Sequence, residues 1–527
     1  MQGRKSPPEP QFFIYNDPYA QLPRSPFYDA LAKHLDLDWV RAATQGLYAD
    51  GIGRPSLDPV VFVKLMLVGF FENAVGDSEL SFRAADSLTV RRFLGYGLDE
   101  RPPDRTTILK TRQRWPTEVF EAIPSTSLRT GFMRVLEQLQ QAGLIQGENL
   151  ATDTVLIDAN ASMDNLRHRE LGCTYSQFVK ALYAQDGQAP PASEIVAKDA
   201  KRPGKASNAD WVSGSDPEAA IAVHPDGHTA LSYRLDATVD LETGAIVQIG
   251  AAPGDVRDSV DLPQRVEEAK DNLAQLGLAP EALTADRGHH SADNLVEVEA
   301  QGVTPIIRQR APAGEPGFRP QDFTYLPQTD EYQCPMGQRL TRRDCARADK
   351  PMRYRVAGAV CRSCENFGQC TKSRQGRVLR RSLSQEELER NRERVRSREG
   401  KELLGKHRQR AEAPWSYAKL YGGLARVSTR GLENAAKKAL LQGIGWNLMK
   451  LIAYLTGLAP RGQSEMGKAY AGSGRAMLNV CALIRHFGAL IGHYSAMLGL
   501  RPRLWLPRVR TDQTHDFSRK RLLSQGC

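Results

Sequence analysis

The chain has 527 residues, 41% of them hydrophobic, with 71 Lys and Arg against 61 Asp and Glu and a formal net charge of +10. That length allows roughly two to four domains of about 100–200 residues, and the hydrophobic share excludes wholesale disorder. The basic surplus points to a polyanionic partner, either nucleic acid or an anionic membrane surface.

Residues 1–25 read as an extended or disordered N-terminus without the apolar stretch of an export signal. Residues 26–145 read as a helical, DNA-binding domain. Pro59–Glu72 is apolar but too short to span a membrane, and Glu79–Phe93 has helical spacing. After Pro102-Pro103, Thr106 or Thr107 is placed to cap a basic helix carrying Lys110, Arg112 and Arg114. A helix over Leu128–Ala142 follows. Residues 146–310 switch to strand pattern, beginning with Ala151–Asp158, and Asn160 to Gly227 reads as a polar, loop-like insert. Thr229–Asp240 and Ala245–Ala252 form a hairpin. A helix capped by Asp258 or Ser259 runs to Leu276; then come a strand Ala282–Ala285, a helix Ser291–Gln301 and a strand Val303–Arg308. Three strands before the first helix, then alternation, is the order of an RNase H-like fold. The expected class is therefore α/β: an RNase H-like catalytic core with an all-α N-terminal domain.

Residues 311–400 interrupt the alternation as a basic, cysteine-containing insertion. Residues 371–430 hold 17 Lys and Arg against 7 Asp and Glu, an excess equal to that of the whole chain. The region reads either as a solvated helix with Glu–Arg pairs or, as the favoured reading, as a phosphate-binding surface. Residues 401–460 return to helix and complete the core, with helices over Leu432–Leu455 and, in a helical C-terminal region 461–527, over Ser473–Leu498 before a basic tail. The last of these helices carries Arg485, His486 and His493 and reads as packed core, so a cytoplasmic protein with reduced cysteines and no membrane partner is expected.

Three carboxylates stand where strand ends and a helix bring ligands to one sheet edge: Asp153 on the first strand, Asp286 at the end of a later strand, and Glu412 at the start of a helix beyond the insertion. Breaking a phosphodiester requires a deprotonated attacking oxygen and neutralisation of the leaving one. A pair of Mg²⁺ ions held by acidic side chains does both. Asp158 competes for the first position, but residues five apart on a strand face opposite sides, so one of the two faces the site. His289-His290 reads as a surface pair on a loop rather than as ligands.

The segments LATDTVLIDANASM, LSYRLDATVDLETGAIVQIGAAPGDVRDS, LTADRGHHSADNL and HRQRAEAPWSYAKLYGGLARVSTRGLENA resemble, in order, the core motifs of DDE-type bacterial insertion-sequence transposases. The stretch GRPSLDPVVFVKLMLVGFFENAVGDSELSFRAADSLTVRRFLGYGLDERPPDRTTI is similar to the helical N-terminal domain of that class. The resemblance implies that Asp153, Asp286 and Glu412 are catalytic and hold Mg²⁺ or Mn²⁺. It also implies that Arg408 and Lys419, flanking the third acid, grip DNA phosphates, with Arg426 and Arg430 beside them. Two positions depart from the class pattern: Gly405 and His289, where tyrosines are usual. The implied function is to bind the inverted-repeat ends of an element, cut there and join the 3′-hydroxyl ends to target DNA. A homodimer on double-stranded DNA and no small-molecule substrate are expected. A non-catalytic DNA-binding relic and an RNase H-like nuclease without joining activity are the other readings.

Of eight cysteines, Cys334, Cys361, Cys364 and Cys370 have a spacing that suits Zn²⁺, with Cys345 as a substitute ligand. Four free thiols are the competing reading. Cys173, Cys481 and Cys527 have no partner signal.

Overall fold

The computed structural model describes residues 24–457 apart from 50–52, 54, 75, 116–130, 185–189, 203–204, 206, 310–317, 344–351 and 425. All of these fall in one unit, 1–460. The expected helix over 473–498, the tail, and Cys345, Cys481 and Cys527 lie outside the described residues. No helix among the described residues is long and apolar enough to cross a membrane.

The first layer is helical: α1 (Pro26–His34), α2 (Asp38–Thr44), α3 (Pro59–Phe71), α4 (Asp77–Asp86), α5 (Leu88–Leu94) and α6 (Arg105–Arg114). Helix α3 starts where Asp58 Oδ1 accepts from the Val60 N–H at 2.9 Å and Pro59 supplies a preset φ. It is apolar on nearly every side because other helices surround it. The single helix expected over 79–93 is two. The chain turns at Ser87, which ends α4 in extended backbone and caps α5 through its hydroxyl. The basic helix α6 is capped by Asp104, which accepts from Thr107 N–H at 2.9 Å, rather than by Thr106 or Thr107.

Helix α7 (Gly131–Gln141) leads into β1 (Asn149–Asp158). The expected loop over 160–227 instead holds β2 (Leu166–His168), α8 (Tyr175–Tyr183), α9 (Ala192–Ala200), β3 (Trp211–Ser213) and β4 (Ala220–Val223). A capping box at Thr174 and Gln177 starts α8. The rings of His168, Phe178 and Trp211 give this small region its own packing. Polar composition hid these short elements, since few of their residues are buried.

The main sheet adds β5 (Thr229–Asp240), β6 (Ile246–Pro253), β7 (Ala282–Ala285) and β8 (Thr304–Ile307), with α10 (Leu262–Gln275) and α11 (Ala292–Ala300) between them. Its order is β4-β5-β1-β7-β8, with β6 also on β5. Strands β4, β5, β6 and β1 pair antiparallel; β7 and β8 run parallel to β1 and to each other. Helix α10 begins after Asp261 rather than at Asp258 or Ser259, because the Asp258 side chain is turned to the Thr154 hydroxyl at 2.7 Å.

A second sheet, β9 (Thr324–Leu326), β10 (Glu331–Gln333), β11 (Arg339–Arg343), β12 (Met352–Arg355) and β13 (Val378–Arg381), is an antiparallel meander with α12 (Gly358–Arg362) before its last strand. Phe323, Tyr332, Leu340, Tyr354 and Leu379 form its own core. Then α13 (Gln385–Arg396), α14 (Arg398–Leu420) and α15 (Leu432–Thr456) return to the main sheet. Two edge strands of that sheet, β6 and β8, each meet an asparagine. Asn447 of α15 donates to and accepts from the Ile246 backbone on β6, and Asn391 of α13 does the same for Ile307 on β8. Each amide stands in for a neighbouring strand and satisfies an edge.

Candidate active site

The parallel register between β1 and β7 places Thr152 opposite Ala285, so the next residues, Asp153 and Asp286, emerge side by side on neighbouring strands. Thr284, two before Asp286, faces α14, where its hydroxyl meets His407 Nδ1 at 3.0 Å. The alternation of strand side chains puts Asp153 and Asp286 toward the same helix. Glu412 lies on α14 and is exposed. It sits in the middle of that helix and not at its start, because the helix runs from Arg398 straight through Pro414. Arg408, Glu412 and Lys419 recur at spacings of four and seven, share one stripe of α14, and are all exposed.

The electrostatics tie the three acids together. Burial pushes the Asp153 carboxyl up to about 7; the Thr154 backbone N–H opposes this, and the charges of Asp286, Glu412 and Asp258 add to it. Among the described residues neither Asp153 nor Glu412 forms an ion pair. Asp286 is held below the usual carboxylate range chiefly by its hydrogen bond with His289 Nδ1, at 2.6 Å, and also by the Gly288 N–H at 2.8 Å. The ligand oxygens of Asp153, Asp286 and Glu412 do not all come within 4.8 Å of one another. The trio of His, Cys, Asp or Glu ligand atoms within 4.8 Å of one another among the described residues is a different one, Asp158, His224 and His228.

Asp153, Asp286, Asp258, Gly288 and Lys419 line one open cleft of about 880 Å³. Its floor is fixed by two buried arginines. Arg234 donates to the Val256 and Arg257 carbonyls and pairs with Asp261, and Arg265 donates to the Asp258 carbonyl at 2.6 Å. They staple the 254–261 loop to the sheet.

Three features went unread in the sequence. His289 is fully buried and orients Asp286, contrary to the expected surface pair. Asp258 is a fourth acid at the cleft, where a helix cap was expected. His407, on the buried face of α14, is pushed down to about 4 by burial and so stays neutral beside Asp286. The Arg-His-Glu content around them carries no spacing signal that marks these partners.

The predicted DNA-binding residues separate into two kinds. Lys110, Arg114, Arg408, Lys419, Arg426 and Arg430 are exposed. Arg112 is half-buried in an ion pair with Asp77 at 2.6 Å. In the arginine-rich helix α13, Arg390 and Arg394 both pair with Glu299 of α11. Cys334, Cys361, Cys364 and Cys370 face one small cavity in the second sheet. Backbone N–H groups of Gln338 and Arg377 donate to the sulfurs of Cys334 and Cys361. Burial and the proximity of the other three thiols raise Cys370.

Two family models match the chain: a transposase domain (DUF772) over residues 16–114 and a transposase DDE domain over residues 333–452. Both are transposase models, and together they support a DDE-type transposase. The DDE match contains Glu412, Arg408, Lys419 and the four clustered cysteines of this transposase; Asp153 and Asp286 precede it. No curated protein matches. Among solved structures, the Mos1 transposase paired-end complex with left transposon end is similar at 10% identity and a TM-score of 0.15, over 49% of this chain and 61% of that one. The match spans about three fifths of that protein's length.

Proposed function

We propose that this transposase binds the inverted-repeat ends of its element, hydrolyses phosphodiester bonds there and joins the freed 3′-hydroxyl ends to target DNA. The observation that carries the reading is the register of β1 and β7, which sets Asp153 beside Asp286, with Glu412 of α14 near enough to raise Asp153. The strand order β6-β5-β1-β7-β8, antiparallel on one side of β1 and parallel on the other, supports an RNase H-like core split into 146–310 and 401–460 by the insertion 311–400. Residues 26–145 are the helical DNA-binding domain in this reading.

Asp153 and Glu412, without an ion pair among the described residues, the first of them forced toward its neutral form, fit a divalent-cation site. Asp153, Asp286 and Glu412 would hold Mg²⁺ or Mn²⁺, which supply Lewis-acid activation of the attacking oxygen and neutralise the leaving one. The chain's own groups do the rest. His289 and the Gly288 N–H aim Asp286. Arg408 and Lys419 flank Glu412 on its helix stripe and would hold the phosphates on either side of the scissile bond. Lys110, Arg114, Arg426 and Arg430 would extend that grip along double-stranded DNA, with two copies of the chain pairing two ends. Cys334, Cys361, Cys364 and Cys370 would hold Zn²⁺, the two N–H···S bonds being the kind that steadies ligating sulfurs.

The test uses duplexes carrying the repeats that flank the gene. Purified protein with Mg²⁺ should cut at the repeat boundary, and Asp153→Ala should not. Pre-cleaved ends should become joined to a target plasmid. Cutting without joining would leave a nuclease, and binding without cutting would leave a DNA-binding relic.

A further inference from the structure

We propose a further metal site in this protein, formed by Asp158, His224 and His228 at the rim of the cleft and suited to a borderline divalent ion such as Zn²⁺. Asp158 ends β1, five residues and one face away from Asp153. The two histidines bracket the tight turn between β4 and β5, closed by the His224 N–H to the His228 carbonyl at 2.8 Å, with Gly227 at φ +91°. Their rings stack at 4.1 Å and 19°, so both Nε2 atoms point the same way. His224 Nε2 lies 3.2 Å and His228 Nε2 3.4 Å from the same oxygen, Asp158 Oδ1. With metal–nitrogen and metal–oxygen bonds near 2.0–2.1 Å, ligand atoms around a tetrahedral ion lie about 3.3 Å apart. The observed separations are those of such a tetrahedron's edges.

The surroundings can accommodate an ion in place of plain hydrogen bonds. His228 Nδ1 lies 2.6 Å from Asp226 Oδ1, which keeps a proton on that nitrogen. Nε2 then either donates a second proton to Asp158 Oδ1 or gives that proton up and turns its lone pair to a cation. A carboxylate behind the outer nitrogen of a ligating histidine is the usual support of a metal-bound imidazole. Ser232 Oγ, 2.8 Å from His224 Nε2, offers an oxygen at the fourth corner. Two imidazoles and one carboxylate suit Zn²⁺ better than Mg²⁺, which prefers oxygen ligands throughout. Pro225, between the histidine and Asp226, lines the cleft with Lys419, and the charges of Asp158 and Asp226 both reach Lys419. An ion here would pin the hairpin to the end of β1 and take up the charge of Asp158, leaving Lys419 free for a phosphate.

The test reads metal rather than activity, so it stands apart from the catalytic reading. Full-length protein carrying Cys361→Ser and Cys364→Ser, stripped of metal, is dialysed against Zn²⁺. One equivalent should bind. Adding His228→Ala, a half-exposed position, should weaken it at least tenfold, adding Asp226→Asn by roughly tenfold, and adding Asp153→Asn should leave it in place. Because the two serines affect the second sheet, the unaltered chain and its His228→Ala variant are also compared for total zinc, which should differ by one equivalent. No binding in the serine background together with equal zinc in that second pair would overturn the site. Equal affinity with and without His228 would do the same.

Discussion

Asp153 is a carboxyl whose ordinary charge the fold resists. Its value of about 7 lies above the 3.8 of an unperturbed side chain, so from about pH 4 to pH 7 the native state holds the extra proton. Stability contributed by that proton is present at low pH, falls as pH rises through this window, and is gone above it. Metal-free Asp153→Asn should therefore be more stable than the parent at pH 8, by ~1–3 kcal/mol, and no more stable near pH 4. Melting curves at the two pH values decide; an equal gain at both would mean the carboxyl is not strained. Mg²⁺ should raise the parent's melting temperature at pH 8 and leave the variant's unchanged. Next to it, Gly288 sits tight against two carboxylates: a Cβ there would lie 3.0 Å from Asp258 Oδ2 and 3.0 Å from Asp286 Oδ1, so both would have to give way. Gly288→Ala should cut DNA cleavage by roughly tenfold or more through displaced carboxylates, with melting nearly unchanged. His289→Ala should have a similar effect on cleavage together with a loss of stability, since it also empties a fully buried position. The three acids stand out as candidates by their motifs. Their supports do not, because His289 and His407 gain their roles from burial, which a neighbouring Gly or Arg does not announce.

At the scale of elements, strands β1, β5 and β6 fall within a residue or two of their expected places. Alternation of β-branched and polar side chains is a local signal that survives folding. Boundaries that depend on distant partners did not show. Pro414 suggests a helix start, yet α14 passes through it, held on both sides of the proline by buried Leu404, Ala411, Trp415 and Ala418. The asparagine edges are of the same non-local kind, for Asn391 and Asn447 lie 84 and 201 residues from the backbones they satisfy. Asn447→Leu keeps the bulk and removes both hydrogen bonds, leaving a buried N–H and a buried carbonyl on β6. A loss of about 2–4 kcal/mol is expected in denaturant titration. Asn391→Leu should cost similarly and should also loosen α13 from β8. A loss below about half a kcal/mol in either would mean that water takes over the edge.

Across the whole molecule, α15 joins the helical layer to the sheet, and two glycines make that approach close enough. A Cβ at Gly445 would meet the Phe70 ring at 2.6 Å, and one at Gly443 would meet Phe132 at 3.1 Å and Ile249 at 3.3 Å. The charge of +10 is laid over this frame unevenly, and composition alone overstated how much of it is free. Arg112, Arg390 and Arg394 are spent on Asp77, Glu387 and Glu299, while Lys110, Arg408 and Arg430 are exposed. The two groups should separate in a salt titration of DNA binding. Removing one cation that neutralises a phosphate flattens the slope of log K against log salt by about 0.9. Lys110→Ala and Arg408→Ala should each take away about one such unit at unchanged melting temperature. Arg112→Ala should leave the slope and lower the melting temperature, because it strands Asp77 in a half-buried site without its partner. The reverse pattern would place the DNA across the paired arginines of α6 and α13, and the exposed cations of α14 would then lie off its path.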